Sequence, residues 1–203
     1  MNPIALTQKL KNKFVFIGEK SMTIFNPFPI IETKYLCLRK MTPEDTDDFF
    51  QMRNDLRMIE FTDSKLNESF EETSSYIEKM NKGVEEGKWI IWAIEHKPSK
   101  KVIGSISIWN MDPEQKSAEL GYGLIPDYQN KGLMKEALAS VVEYGFEVMK
   151  LNALDAYTEE KNIRSIKLLE SCKFVEINRV NDDGYYSERV YCMIVYQMKN
   201  SRG

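Results

Sequence analysis

Three apolar runs follow one another between residues 88 and 125, separated only by short polar stretches: KWIIWAIEHK, KVIGSISIWNM and SAELGYGLI. Each is rich in β-branched and aromatic residues, which fit a pleated, half-buried surface. The first two, split by PSK, predict an antiparallel hairpin, and the third predicts a successive strand. Directly after them, KGLMKEALASVVEYGFEVMK places Leu133, Ala137, Leu138, Val141, Val142, Gly145, Phe146 and Met149 on one helical face. A sheet followed at once by a strongly amphipathic helix narrows the fold to one in which helices lie on a sheet.

The flanking segments complete the pattern. TKYLCLRKM predicts a strand with Leu36 and Leu38 on one face. In TPEDTDDFFQMRND, Thr42, Pro43 and Asp45 form a helix start. Phe70, Thr73, Ile77, Met80 and Val84 mark a second helix, which Gly87 ends. LNALDAYT predicts a short strand and NIRSIKLLESCKF a short helix with Ile163, Ile166, Leu168 and Leu169 inward. FVEINRV and SERVYCMIVYQMK predict a final hairpin turning at NDDG. About seven strands and four helices in this order predict a mixed α/β fold with a largely antiparallel sheet. Residues 29–203 read as one domain, preceded by an extension over residues 1–28.

Composition excludes several classes. The hydrophobic fraction of 42% with 29% charged residues suits a globular domain with a real core. No apolar run approaches the roughly 20 residues of a membrane span. Lys9, Lys11 and Lys13 precede FVFIG, but that apolar stretch is too short for a signal-peptide core. A net charge of −3 offers no basic surface for nucleic acid. Cys37, Cys172 and Cys192 lack metal-ligand spacing and read as free, mostly buried thiols of a reducing cytoplasm. His96 is the only histidine, which argues against histidine triads and multi-histidine metal sites, and no metal is expected.

The chemistry concentrates in SAELGYGLIPDYQNKGLMKEAL. Alternation places Glu119, Gly121, Gly123 and Ile125 on one face of the strand, and Ala118, Leu120, Tyr122 and Leu124 on the other. A carboxylate beside two glycines suggests a base at the edge of a cleft. The following turn ends in Gly132 at a helix start, where free N–H groups and the helix dipole favour an anion such as a pyrophosphate. A plain strand-to-helix connection has the same pattern. The spacing is neither that of the Walker loop nor that of the dinucleotide fingerprint.

QNKGLM, Gln129 to Met134, resembles the Q/R-x-x-G-x-G/A signature of the GNAT acetyltransferase superfamily. AELGYGLIPDYQNKG and MKEAL around it resemble the ribosomal-protein N-acetyltransferase (RimJ/RimL-type) branch. FPIIETKYLCLRKMTPEDTDDFFQMRND, EEKNIRSIKLLESCKF and YSERVYCMIVYQM are similar to other segments of that branch, so the resemblance spans about residues 28 to 199. It implies a GNAT fold with a splayed central sheet, acetyl-CoA as co-substrate, and direct acetyl transfer to a primary amine. Gln129, Asn130, Lys131, Gly132, Leu133 and Met134 would hold the pyrophosphate. Leu124 and Ile125 would pair with the pantetheine arm where two strands part, and an N–H there would polarise the thioester carbonyl. Asn162 and Ser165 would line the wall near the sulfur.

Glu119 aligns with the family's general base. An amine acceptor is mostly protonated at neutral pH and must lose a proton before it attacks. Where many members carry a tyrosine acid in the last helix, this chain has Leu169, which leaves Ser165, Tyr157, another tyrosine or water to protonate the thiolate. Met134 replaces the usual Gly or Ala, and Lys173 replaces a glycine just past the last helix. The branch favours a protein N-terminus as acceptor; a polyamine, amino acid or aminoglycoside is the rival, and a CoA-binding module with little catalysis is the other. A polycation would want carboxylates near the cleft, for which Glu159, Glu160, Asp182 and Asp183 are candidates. Trp89, Trp92 and Trp109 read as core or cleft-wall residues, and Tyr185 and Tyr186 as edging the acceptor site or simply exposed. A homodimer is compatible with the resemblance.

Overall fold

The computed structural model describes residues 25–201. Most of the expected extension, including the Lys9 to Gly18 segment, lies outside them. Residues 25–28 pack onto the domain: Phe25 is buried, and Phe28 meets the Trp92 ring edge-on at 6.1 Å.

Eight strands form one sheet in the order β1-β2-β3-β4-β5-β6-β8-β7. They are β1 (Ile31–Glu32), β2 (Leu36–Arg39), β3 (Ile90–His96), β4 (Lys101–Asp112), β5 (Ser117–Leu124), β6 (Ala153–Glu159), β7 (Val175–Asp183) and β8 (Val190–Lys199). The helices are α1 (Thr46–Arg53), α2 (Phe70–Glu85), α3 (Leu133–Glu147) and α4 (Ile163–Ser171). Every strand pair is antiparallel except β5–β6, because α3 intervenes as a crossover between those two. The additional strand, β1, is two residues long and was not expected. It pairs Ile31 with Leu38 and Glu32 with Cys37, too short a match to show periodicity.

The helix starts obey local chemistry. The Thr42 N–H donates to Asp45 Oδ2 (2.8 Å), and the Ser69 side chain accepts from the Glu72 N–H (3.2 Å). Buried strand residues meet α3 on one side of the sheet, where Trp92 packs edge-on against Tyr144 at 5.3 Å. α1 is tied to β4 through Asp48, which accepts from the Val102 N–H (2.7 Å). The first turn of α3 is pinned to the β1–β2 turn by Glu136, which accepts from the Thr33 hydroxyl and from the Tyr35 N–H (2.7 Å). That contact fixes where the N-terminus of α3 points.

Three expectations shift. Ile163, expected inward at the start of α4, is exposed. The final hairpin does not turn at NDDG: Asn181, Asp182 and Asp183 stay paired with Cys192, Tyr191 and Val190. The turn falls instead at residues 184–189, where the Gly184 N–H donates to the Arg189 carbonyl (3.0 Å). The three cysteines are free but only half-buried, at strand and helix ends rather than in the core. Among the described residues, no helix is long and apolar enough to cross a membrane, and no cluster of His, Cys, Asp and Glu has the makings of a metal site.

Candidate active site

The parallel pairing of β5 with β6 runs from Ser117–Ala153 to Leu120–Ala156 and stops there. Beyond it, Gly121–Leu124 remain bonded to β4 and Tyr157–Glu159 to β8, so the two strands part. Backbone groups alternate sides along a strand. The Ile125 N–H goes to the Ile103 carbonyl (2.8 Å), which sends the N–H groups of Tyr122 and Leu124 to the open side. Ile125 therefore has no N–H left for a ligand, contrary to expectation, whereas Leu124 keeps one. On the unpaired edge of β6, Thr158 is buried with its hydroxyl unmatched by any described residue.

A cavity of about 350 Å³ opens beside this parting. That is within the size range of small-molecule sites. Leu124, Gln129, Asn130, Gly132, Leu133 and Met134 line it from one side, and Asn162 and Ser165 from α4. Lys131 does not; its ammonium lies over the Tyr128 ring, 5.2 Å from the centroid.

The turn between β5 and α3 is shaped by side-chain and backbone constraints. Pro126–Tyr128 make a short 3-10 turn, and Gln129 Nε2 donates to the Leu124 carbonyl (2.8 Å), closing the loop on itself. Gly132 then adopts φ +78, a left-handed conformation that favours glycine, and caps α3. A Cβ at Gly132 would meet nothing within 4 Å, so the demand for glycine is conformational rather than steric. The first helical bond runs from the Glu136 N–H to the Gly132 carbonyl (3.1 Å). Among the described residues no acceptor takes the N–H groups of Leu133, Met134 and Lys135, the usual orphan donors of a helix start. Three donors in open space at the positive end of α3 suit an oxyanion.

Arg57, Lys135, Arg164 and Lys167 also line the cavity, and sequence reasoning did not single them out. Arg57 is held by Asp55 (2.6 Å) and Asp127 (3.5 Å), and Arg164 by Glu60 (3.8 Å). No ion pair among the described residues neutralises Lys135 or Lys167. Lys135 could have been found from its place three residues after Gly132, but Arg57 reaches the cavity only because the α1–α2 connection folds back over it. With orphan amides, a basic rim and an unmatched hydroxyl at the strand parting, the residues present fit coenzyme A.

On α4, the Asn162 side chain caps the helix by accepting from the Ser165 N–H (3.2 Å) while it faces the cavity. Ser165 Oγ lies 2.8 Å from the hydroxyl of Tyr122, another cavity residue, which sequence reasoning placed on the strand face of Leu120 and Leu124 without a role. Burial pushes that phenol up to about 12. Leu169 is fully buried, with no access to the cavity.

Glu119 lies outside this cavity, on the opposite face of the sheet from Tyr122. It stands beside Asp155 of β6 and opposite Trp109 of β4, and accepts from Asn110 Nδ2. Burial, then the charges of Glu119 and Asp155, push the half-exposed Tyr157 phenol up, so these three groups share one surface. The glycine notch beside Glu119 is partly filled: a Cβ on Gly121 would come within 2.9 Å of Ser107 Oγ, and one on Gly123 within 3.3 Å of the Met58 methyl.

The loop carboxylates behave differently from expectation. Glu159 is buried, accepting from Arg189 Nη2 (2.9 Å) and the Lys161 N–H (2.7 Å). Asp63, from the α1–α2 connection, accepts from the N–H groups of Tyr185, Tyr186 (2.8 Å) and Ser187 (3.1 Å), tying that segment to the β7–β8 turn. His96 lies away from the cavity, with its ring against Tyr128 at 5.3 Å and Nδ1 bonded to Ser99.

Known proteins share this architecture. An uncharacterised N-acetyltransferase of Bacillus subtilis, YoaA, is 29% identical over 175 residues, covering 86% of this chain and 99% of its own. The solved RimL ribosomal-protein alpha-N-acetyltransferase in complex with coenzyme A superimposes with a TM-score of 0.76 at 18% identity, over 84% of this chain and 98% of its own. The Vibrio cholerae spermidine N-acetyltransferase, solved with coenzyme A and spermine, superimposes with a TM-score of 0.72 at 21% identity, over 83% and 98%. The sequence model of the acetyltransferase (GNAT) domain matches residues 35–175, and the chain belongs to that family of N-acetyltransferases.

Proposed function

We propose that this protein moves the acetyl group of acetyl-CoA to the α-amine of a protein N-terminus by direct attack, in the cytoplasm. The observation that carries the reading is the convergence of three unpaired α3 amides, the open edge of β5 and the Ser165 hydroxyl on one cavity. The amides of Leu133, Met134 and Lys135, with the basic rim, would hold the pyrophosphate. The outward N–H groups of Tyr122 and Leu124 would align the pantetheine arm and polarise the acyl carbonyl, where donors aimed at developing charge lower the barrier most. Ser165 would donate to the departing sulfur. Glu119, on the other face at the foot of the parting, would take the proton of the incoming amine directly or through water.

A small cationic amine is the second reading, supported by the relation to spermidine acetyltransferases. Against it, Glu159 is already neutralised by Arg189, and Glu160 has Arg179 at 3.7 Å. Asp155 stands beside Glu119 on that surface, and Asp182 and Asp183 have no ion pair among the described residues. The discriminating experiment is coenzyme A thiol release with a panel of N-terminal peptides and polyamines. Saturable turnover on peptides supports the first reading. Turnover on polyamines alone replaces it with the second, and no turnover with any amine, despite cofactor binding, favours a binding module.

A further inference from the structure

Tyr122 and Ser165 are brought together from β5 and α4, elements that no sequence pattern links. Their hydroxyl oxygens lie 2.8 Å apart and both residues face the cavity. One of the two must donate. A phenol is the stronger acid of the pair, and burial keeps Tyr122 protonated across the neutral range. A serine hydroxyl has one hydrogen and two lone pairs. When Ser165 accepts from Tyr122, its own hydrogen is freed to point elsewhere. Leu169, one turn further along α4, is buried and apolar and offers no donor in its place.

We propose that Tyr122 is a positioning residue for acetyl transfer: its hydroxyl donates to Ser165 Oγ and so turns the single Ser165 hydrogen toward the sulfur that leaves. This rests on the reading of Ser165 given above. In the transfer, the acceptor ammonium first gives one proton to Glu119, which passes it to solvent; the amine nitrogen then bonds to the acyl carbon, and the second proton, shed as the amide forms, passes into water. The carbon–sulfur bond breaks with its electron pair on sulfur. The resulting thiolate accepts the Ser165 hydrogen bond and takes its proton from water. Without Tyr122 the Ser165 hydroxyl can rotate, and its hydrogen spends part of its time turned away.

The test is single-turnover acetyl transfer by Tyr122→Phe, Ser165→Ala and the double variant, with acetyl-CoA affinity and thermal midpoint measured for each. Ser165→Ala is expected to slow transfer by about 10²-fold, the low end for removing one donor aimed at developing charge. Tyr122→Phe keeps the ring and is expected to slow transfer by about tenfold, the scale of one hydrogen bond. Acetyl-CoA affinity should change by less than the rate does, and the midpoint should fall by no more than the few degrees of one hydrogen bond, whereas a purely structural role would lower the midpoint without slowing transfer. The double variant should be no slower than Ser165→Ala, because Tyr122 acts only through Ser165. A wild-type rate in Tyr122→Phe, or full additivity in the double variant, overturns the proposal while leaving the Ser165 reading intact. A wild-type rate in Ser165→Ala overturns both.

Discussion

Removing the guanidinium of Arg189 should destabilise the protein more than its half-exposed position suggests. Arg189 is the charged partner of Glu159, which is only 3% exposed. Its Nη1 also donates to the Glu60 carbonyl (3.2 Å), and its guanidinium lies over the Tyr191 ring at 4.5 Å. One side chain thus joins the end of β6, the start of β8 and the α1–α2 connection. Breaking a fully buried ion pair from one side costs about 3–5 kcal/mol, because the surviving charge stays buried. Here Arg189 is partly solvated, and Glu159 retains the Lys161 N–H, so about 2–3 kcal/mol is the fitting scale for Arg189→Ala. For a domain of this size each kcal/mol moves the melting midpoint by about 2–4 °C, which predicts a fall of roughly 4–12 °C. Glu159→Gln in the Arg189→Ala background should recover part of it by discharging the stranded carboxylate. The assay is calorimetric melting of the wild type and the two variants. A midpoint within about 1 °C of wild type for Arg189→Ala, on that same scale, would refute the claim that Glu159 depends on this pair. It would also reopen Glu159 as an acceptor-binding carboxylate.

Lys173 holds φ +72 just past α4, with its N–H given to the Glu170 carbonyl (3.0 Å), so Lys173→Gly should stabilise by about 0.5–1 kcal/mol and raise the midpoint measurably. The N–H groups of Tyr186, Ser187 and Tyr185, with the Ser187 hydroxyl, hold the Asp63 carboxyl below its usual range. The latch is therefore present above the unfolded pKa of about 3.9 and lost as the pH falls through the lowered folded value. Amide exchange at residues 185–187 should accelerate only in that acid window, and Asp63→Asn should erase the pH dependence. Glu119→Gln should lower kcat by about 10²-fold or more, while acetyl-CoA affinity stays unchanged. An unaltered rate in that variant removes Glu119 from the mechanism.

What could be read in advance was local. The run from Ser117 to Glu147 declares strand, turn and helix through alternation, a glycine before an apolar helical face and a helix start, and all three elements are present. The left-handed Lys173 follows from its place after a helix end. Contacts across the fold were not readable. Whether the Ile125 N–H is free depends on register with β4, which the strand's own residues do not encode. Tyr122 falls on the buried face by alternation, yet it abuts the parting of β5 from β6, and only the docked position of α4 gives it a polar partner. NDDG carries strong turn residues, but pairing with β8 continues through Asp183 and the turn forms next to Asp63, far away in sequence. Arg57 was not singled out, and Glu159 was misread, for the same reason. Their roles are set by a connection that folds back over the sheet, and such connections carry no periodic signal.

The central claim is that the start of α3 seats the phosphates of acetyl-CoA beside the parted strands. Calorimetric titration of the purified protein with acetyl-CoA tests it most directly, with Gly132→Glu as the partner measurement. A Cβ there meets nothing within 4 Å, the left-handed φ adds local backbone strain, and the side chain brings a carboxylate to the orphan amides. The account predicts saturable binding by the wild type at one site per chain, and its loss in Gly132→Glu with the fold retained. Equal affinity in the two proteins, or no binding by the wild type, would contradict it.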